Sequence, residues 1–307
     1  RQSSLWAASR RMPQVQATSR AAVAQQIVNA AINHAASNGL HSLTMRDLAQ
    51  AVGKSTTVIV NLFGAKSGLI QAVAEEAMRL DGAFHADFFG AVRGLPLNRD
   101  TLLPLARHYL RLRAGEEAGF ARIWETLVLD ADPAPERRAL MIRWEALRRD
   151  AWRTHLARDP RMADFTPALI SWLTMEQFYA GALRGRADYE VIAAEGLSGL
   201  LDHAFGRPDH PATATFWYRE NLVLPQAPAD GLEPGSMRRK LLDIAADQIL
   251  TNGLMAVTNR SVSVVAGTST STIAYHWPDM RRLMLDAVWH SVFRDMTVAE
   301  NVALGAY

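Results

Sequence analysis

The chain has 307 residues, long enough for two or more domains, and its formal net charge of +2 singles out no class of partner. It contains no cysteine, which excludes disulfide bonds and thiolate metal sites. No apolar run reaches the roughly 20 residues of a membrane span, and residues 1–20 lack the apolar centre of a secretory signal. We therefore expect a soluble, cytoplasmic protein without a membrane partner.

The first predicted element is a flexible basic arm over residues 1–20. The arm is polar and lacks acidic residues, and its cations are Arg1, Arg10, Arg11 and Arg20. Such an arm can follow a nucleic-acid backbone or enter a minor groove, and it can equally be a solvated tail. The sequence leaves both interpretations open.

The stretch from residue 27 to residue 69 recurs without a gap as residues 241–283. The offset between the two copies is 214, and eleven of the 43 aligned positions are identical. The identical positions of the first copy are Ala31, Asn38, Gly39, Leu40, Thr44, Arg46, Gly53, Ser55, Thr56, Ile59 and Leu69. This offset is far longer than the roughly 20 to 50 residues of a solenoid repeat. The pattern indicates a duplicated module near each end of the chain.

Each copy contains the pattern of three short helices. In the first copy, apolar residues recur at helical spacing up to Asn38-Gly39, where the glycine ends the first helix. Thr44 occupies an N-cap position, and Asp47 lies in the first turn of a second helix that extends to Gly53. A third helix is predicted over residues 57–63. This order is the helix-turn-helix arrangement, whose second helix enters the major groove of DNA.

The residues of both copies resemble one known family. In the first copy, the segments Thr44-Met45-Arg46-Asp47-Leu48-Ala49, Gly53-Lys54-Ser55 and Phe63-Gly64-Ala65-Lys66-Ser67-Gly68-Leu69 are similar to the N-terminal DNA-binding domain of tetracycline-repressor (TetR) type regulators. The second copy resembles the same pattern through Ala245, Gly253, Thr258, Arg260 and Gly267. The resemblance implies a DNA-binding domain over residues 21–66 and a second helix-turn-helix domain over 236–307.

The resemblance and the side-chain chemistry predict two sets of DNA-contacting residues. Cationic, amide and hydroxyl groups are the ones that bind phosphates and base edges. In the first module they are Thr44, Arg46, Lys54, Ser55, Thr56, Thr57, Asn61 and Lys66. In the second module they are Thr258, Arg260, Ser269, Thr270, Ser271, Tyr275, His276 and Arg281.

The two modules differ in charge and in their recognition helices. Residues 1–80 carry a net charge of +5 and residues 236–307 a net charge of +1. Where the family commonly has a Tyr-His-Tyr-like triplet, the first module has Val60-Asn61-Leu62 and the second has Ala274-Tyr275-His276. Arg238-Arg239-Lys240 favour phosphate contact by the second module. This module is a second DNA reader, a partner packed against the first module, or a protein-binding unit.

Between the modules the periodicity stays helical, so the predicted fold class is all-α. A ligand-binding and dimerisation domain is predicted over residues 67–205 and a Pro-rich linker over 206–235. The predicted helices of the body are 69–89, 102–113, 118–129, 135–157, 167–183 and 189–205. The resemblance implies a homodimer whose four-helix bundle is formed by residues 167–183 and 189–205.

Large side chains concentrate in the middle of this body. They either line the cavity of a small-molecule effector, which would then be largely apolar, or form ordinary core. The residues assigned to the pocket are Phe120, Trp124, Met141, Trp144, Trp172, Met175, Phe178 and Tyr179. Glu125, Arg143, Glu176 and Gln177 are candidates for orienting such an effector.

Catalytic and metal-binding patterns are absent or weak. The sequence has no phosphate-binding loop, no H-E-x-x-H motif and no G-x-S-x-G elbow. Asp81 and His85 stand four residues apart on a predicted helix, where a solvated pair is favoured over a metal-chelating pair that lacks a third ligand. We expect no cofactor, no catalytic residue and no metal site.

The sequence therefore predicts a ligand-responsive transcriptional regulator, a repressor by default, that binds a double-stranded DNA operator as a homodimer. The first alternative keeps the fold but assigns one or both helix-turn-helix units to protein contacts. An α-helical enzyme is the third hypothesis.

Overall fold

The computed structural model describes residues 12–115, 118–129, 134–208, 211–221 and 233–303. Within these ranges the chain forms fourteen α-helices and no strand, which confirms the predicted all-α class. The helices are α1 (Met12–Asn38), α2 (Met45–Ala51), α3 (Thr56–Phe63), α4 (Lys66–Ala91), α5 (Arg99–Arg113), α6 (Gly119–Val128), α7 (Pro135–Leu156), α8 (Thr166–Ala182), α9 (Ala187–Ala204), α10 (Thr213–Asn221), α11 (Met237–Asn252), α12 (Asn259–Ala266), α13 (Thr270–His276) and α14 (Met280–Ala303).

The chain divides into two compact units. The first comprises residues 1–126 and 135–220, and the second comprises residues 127–134 and 221–307. The first helix-turn-helix module and the helical body, which the sequence separates at residue 66, therefore belong to one unit.

The first module folds around side chains from α1, α2 and α3. Ile27, Leu48 and Ile59 are fully or almost fully buried and come from the three helices in turn. Gly53 joins α2 to α3 with a φ of +62°, a left-handed conformation that glycine adopts without a steric penalty. Helix α4 completes this core with Leu69 and then continues into the body.

The body is built on helix pairs predicted from periodicity. Each of the six predicted helices is present, with ends that differ from the predicted ones by at most three residues. Helix α4 packs on α7, and α5 packs on α8 and α9. One apolar cluster joins these pairs, with Tyr109 and Trp152 among its largest buried members. The ring centroids of these two residues lie 5.1 Å apart, a distance typical of aromatic packing.

Helix α6 begins against the first module at a glycine. A Cβ atom at Gly119 would lie 3.0 Å from Cγ2 of Ile32 and 3.3 Å from the Cβ atom of Ala36, both on α1. These distances are shorter than ordinary van der Waals contacts. Glycine therefore allows α6 to approach α1 more closely than any other residue would.

The segment predicted as a Pro-rich linker contains a helix. Helix α10 begins where the Glu195 carboxylate of α9 accepts hydrogen bonds from the backbone N–H groups of Ala214 and Thr215, both at 2.7 Å. A carboxylate at a helix N-terminus satisfies donors that have no partner within the helix. The apolar run Leu222-Val223-Leu224 lies outside the described residues.

The predicted arm is shorter than expected from the sequence. Helix α1 begins at Met12, so residues 12–20 are helical rather than part of a flexible arm. Arg1, Arg10 and Arg11 lie outside the described residues. Arg20 is a helical residue whose Nη2 atom donates to the backbone carbonyl of Asn61 at 3.0 Å.

The second unit repeats the order of elements of the first module. Helices α11, α12 and α13 and the start of α14 follow one another as α1, α2, α3 and the start of α4 do, and a short 3-10 turn follows the first helix in each case. Leu241, Val262, Ile273 and Leu283 are buried at the positions that correspond to the buried residues of the first module at an offset of 214.

Within the described ranges, no single helix is long and apolar enough to cross a membrane. Helices Thr56–Phe63 and Lys66–Ala91, which meet at a bend of 71°, together have the length and apolar composition of a membrane span.

Replacing the two glycines Gly53 and Gly90 by alanine should change stability in opposite directions. Gly53→Ala places a Cβ atom at a left-handed position and should lower the free energy of unfolding by about 1 kcal/mol. Gly90 lies in α4 without a positive φ, and a Cβ atom there has open space, so Gly90→Ala should raise it by about 0.5 kcal/mol. Urea unfolding measures the change in the free energy of unfolding for both variants. Changes of the same sign in the two variants would contradict the left-handed turn at Gly53.

Candidate functional site

The turn between α2 and α3 presents polar side chains to solvent. The hydroxyl of Thr44 caps α2: it accepts from the Asp47 backbone N–H at 3.1 Å and donates to the Asp47 carboxylate at 2.6 Å. The N-cap role predicted for Thr44 is therefore confirmed. Since a phosphate oxygen only accepts hydrogen bonds, Thr44 could bind one only by giving up its bond to Asp47.

The predicted DNA-contacting residues of the first module share one property, exposure to solvent. Four of them are consecutive at the start of α3, and Asn61 follows Thr57 by four residues on the same helix face. The N-terminus of a helix carries partial positive charge and free N–H groups, which attract phosphate. The exposed residues are Thr44, Arg46, Lys54, Ser55, Thr56, Thr57, Asn61 and Lys66.

Two cations lie near the C-terminal end of α3. Arg20 from α1 bonds the carbonyl of Asn61 in the last turn of α3, where a positive charge is favourable. Lys66 is the first residue of α4, just after α3. Its side chain is exposed, but partial burial of the ammonium group by neighbouring residues lowers its pKa. The role of Arg20 was not predicted, because periodicity alone does not show that α1 starts early enough to include it.

The corresponding face of the second unit is also exposed, with one exception. Tyr275, at the position of Asn61, has 85% of its surface exposed. His276 is half-buried between rings, at centroid distances of 5.1 Å from Tyr275 and 5.6 Å from Trp277. The exposed members of the predicted set are Thr258, Arg260, Ser269, Thr270, Ser271, Tyr275 and Arg281.

The cations at the start of α11 are bound within the second unit. Arg238 donates to Asp286 at 3.2 Å and its guanidinium lies 5.5 Å from the Trp277 ring centroid, while Lys240 donates to the carbonyl of Ala266 at 3.0 Å. Arg239 lies 3.4 Å from the carboxylate of Asp243. These internal partners reduce the positive charge that Arg238-Arg239-Lys240 offer to a phosphate, and phosphate contact by them stays a prediction.

The first module has the geometry of a helix-turn-helix unit, with a glycine turn between two short helices and exposed polar residues at the start of the second helix. Residues 27–73 match the model of a family described as bacterial regulatory proteins, tetR family. Residues 27–73 are therefore a DNA-binding domain of the type found in TetR-family transcriptional regulators. No curated protein matches the sequence significantly.

In the part of the chain that the structure describes, the residues assigned to an effector pocket lie in different surroundings. Trp124 and Trp144 are completely buried in the core, whereas Met175 and Tyr179 are more than half exposed on α8. Phe120, Trp172 and Met175 line three different cavities. Met141 is buried on α7, and Phe178 packs on Trp124 at a centroid distance of 5.5 Å. Helical spacing shows which residues face inward but not which neighbours fill the space between them.

A buried ionic network fills the middle of the body instead. Asp81 of α4 accepts hydrogen bonds from both Nη atoms of Arg113 on α5 and from Nε1 of Trp144 on α7, the latter at 2.7 Å. The amide oxygen of Gln177 on α8 accepts from Arg113 and from Arg148, each at 2.8 Å. Four helices therefore meet at one carboxylate and one amide.

The outer part of this network is formed by stacked and charged groups. The guanidinium of Arg148 lies 3.6 Å from the ring centroid of Trp124, a cation–π contact. Glu145 accepts from Nε1 of Trp124 at 2.5 Å and from Arg148 at 3.0 Å, and Gln177 donates to Glu125 at 3.0 Å. Gln177 and Glu125 were candidates for orienting an effector; here they bond protein groups.

Asp81 and His85 form neither a solvated pair nor a metal site. Both are buried, and Nδ1 of His85 lies 2.7 Å from the Asp81 backbone carbonyl and 3.1 Å from its carboxylate. The other ring nitrogen lies 2.9 Å from the Tyr109 hydroxyl. Among the described residues, no group of three metal-ligating side chains is brought together. The predicted solvation of this pair is therefore wrong, since α5 and α7 cover it.

Burial and pairing act in opposite directions on the pKa of Asp81. Burial alone raises it, but the charge of Arg113 and hydrogen bonds from His85 and Arg113 outweigh burial and lower the pKa far below its usual range. A carboxylate with a lowered pKa in the folded state stabilises the fold above its unfolded pKa of about 3.9. This contribution is lost only as the pH falls below that value.

Among the described residues of the first unit, helices enclose several cavities. One of 340 Å³ lies between α5, α8 and α9, one of 530 Å³ between α7 and α8, and one of 290 Å³ between α1, α4 and α6. The first is lined by Arg107, Leu110, Arg111, Ala114, Trp172, Ala180, Arg184, Gly185, Tyr189, Glu190 and Ala193. The sequence did not single out its arginines, although Arg107 and Arg111 have the spacing of one helix face.

Removing the charge of Arg113 should strongly destabilise the fold. Arg113→Met leaves Asp81 buried without its main counter-charge, so the free energy of unfolding should fall by about 3–5 kcal/mol. Arg153→Met is the control, because Arg153 pairs with Asp150 at an exposed site and its loss should cost at most about 1 kcal/mol.

Urea unfolding compares the two variants with the parent. The double variant Asp81→Asn/Arg113→Met should recover part of the loss, because it also removes the stranded charge. Equal effects of Arg113→Met and Arg153→Met would contradict the role of the network.

Proposed function

We propose that this TetR-family chain is a ligand-responsive regulator, a repressor by default, that acts in the cytoplasm as a homodimer on double-stranded DNA. The observation that carries the proposal is the exposed polar face at the start of α3, within the module that matches the family model. A dimer would present two such faces to half-sites one helical turn apart or a multiple of it.

The proposed dimer interface is formed by α8 and α9. Met175, Tyr179 and Val191 are large apolar side chains that are each more than half exposed on these helices. Gly196 and Gly199 are exposed on α9, where small residues permit close contact between helices. An exposed apolar stripe of this kind is typical of a protein interface.

The proposed effector site lies in the helical body. Cavities between the helices of a bundle are common ligand sites. The body contains such cavities between α5, α8 and α9 and beside α7, which packs on α4. A ligand that changes how these helices meet would change the separation of the two recognition helices. DNA release on ligand binding is the default expectation.

The second unit supports two different roles. Exposed Arg260, Tyr275 and Arg281 favour a second DNA-reading module. A protein contact is the alternative, and one observation favours it. Val264 and Val265 are 71% and 62% exposed at the positions where the first module has Gln50 and Ala51.

Matched arginine substitutions should show which modules contact phosphate. Arg46 and Arg260 occupy equivalent exposed positions in the two modules. The slope of log K against log salt is negative, and each lost phosphate contact lowers its magnitude by about 0.9. Arg46→Ala should lower the magnitude by that amount. Arg219→Ala, at an exposed site on α10, is the control and should leave it unchanged.

The measurement uses duplexes enriched by the full chain from genomic fragments, with binding followed by fluorescence anisotropy over a range of salt. A slope of lower magnitude for Arg260→Ala would support a second DNA reader, and an unchanged slope would favour the protein-contact role. Failure to enrich any sequence at low salt would contradict the DNA-binding proposal.

A bulky side chain at Gly199 should dissociate the proposed dimer. A Cβ atom at Gly199 has open space within the chain, so Gly199→Leu should leave the protomer folded while separating the two copies. Gly90→Leu is the control, because Gly90 is also an exposed helical glycine with open space but lies on α4. Sedimentation measures the mass, and a dimer retained by Gly199→Leu would count against this interface.

A further inference from the structure

The cavity between α5, α8 and α9 has a small, apolar floor. Leu110, Ala114 and Ala180 are buried beneath it, and Trp172 forms a wall. Its volume of 340 Å³ lies within the range of small-molecule sites, roughly 300–1,000 Å³. The floor accommodates a flat apolar group of modest size.

Three guanidinium groups surround this floor. Arg107 and Arg111 lie one turn apart on α5, and Arg184 follows the end of α8. Arg107 donates to the partly exposed carboxylate of Glu190 at 2.9 Å. Within the described residues, the Nε of Arg111 donates only to the neutral carbonyl of Arg107, at 3.5 Å. Arg184 donates from Nη1 to the backbone carbonyl of Ala114 at 3.3 Å, so the proposed binding depends mainly on Arg111.

We propose that this cavity binds a small organic carboxylate with a flat apolar body. Guanidinium groups bind carboxylates through paired hydrogen bonds with a fixed geometry. The rings of Trp172 and Tyr189 supply flat walls. The guanidinium groups supply donors for the polar end of the ligand.

This inference rests on the proposed function, in which the body holds an effector. It changes the expected chemistry of that effector from largely apolar to amphiphilic and anionic. Trp124 and Trp144, two of the residues that suggested an apolar ligand, are buried in the core. Trp172, a third, lines open space beside arginines.

The test compares 2-naphthoate with its neutral counterpart 2-naphthamide on the full-length chain by calorimetry at neutral pH. The carboxylate should bind at least about tenfold more tightly than the amide, since hydrogen bonds to a charged group are stronger than those to a neutral one. Arg111→Ala should abolish this preference, and Arg111→Lys should retain part of it. Arg219→Ala should bind both compounds as the parent does.

Three outcomes would overturn the proposal: binding of neither compound, equal binding of both, or an unchanged preference in Arg111→Ala. The same samples are assayed with the enriched duplex. Duplex binding without naphthoate binding would sink this site but leave the DNA-binding function standing. Naphthoate binding without duplex binding would support this site but contradict the DNA-binding function.

Discussion

The buried carboxylate of Asp81 is the group on which the arrangement of the body depends. A buried charge without partners would cost several kcal/mol, and its partners come from different helices. Arg113 of α5 and Trp144 of α7 both donate hydrogen bonds to this carboxylate of α4. Gln177 of α8 joins the network because its amide oxygen accepts from Arg113. Because α4 also supplies the core of the recognition module, the geometry of this ion cluster determines where the body lies relative to α3. The helices that form the wall and floor of the arginine-lined cavity, α5 and α8, both take part in it.

Much of the fold could be predicted from the sequence, because its signals are local. Apolar spacing and capping residues such as Thr44 located the helices to within a few residues, and the offset of 214 predicted the order of elements in the second unit. The content of the core could not be predicted in the same way. Trp124 and Trp144 resembled pocket walls, but their indole N–H groups bond carboxylates from other helices, a property of the tertiary arrangement that periodicity does not contain. His85 faced solvent in the sequence interpretation because Tyr109, 24 residues away, could not be placed against it.

The two copies of the repeat show that the number of cations in a segment is a weak guide to the charge on its surface. The start of α11 is rich in cations, yet Arg238, Arg239 and Lys240 each bond an acceptor within their own unit. The first module has fewer cations in a row, but Arg46 and Lys54 point their charge into solvent next to the recognition helix. What matters for binding a phosphate is therefore the charge left after internal pairing, and this depends on which acidic residues the neighbouring helices carry.

At Gly119 the recognition module and the body are in close contact, because α6 packs there directly on α1. The distance between α1 and α6 at this point is set by the absence of one carbon atom, because the hydrogen of glycine occupies the space that a methyl group would need. Any side chain at residue 119 would have to displace Ile32 or Ala36, so a single added carbon would move the body away from the recognition module.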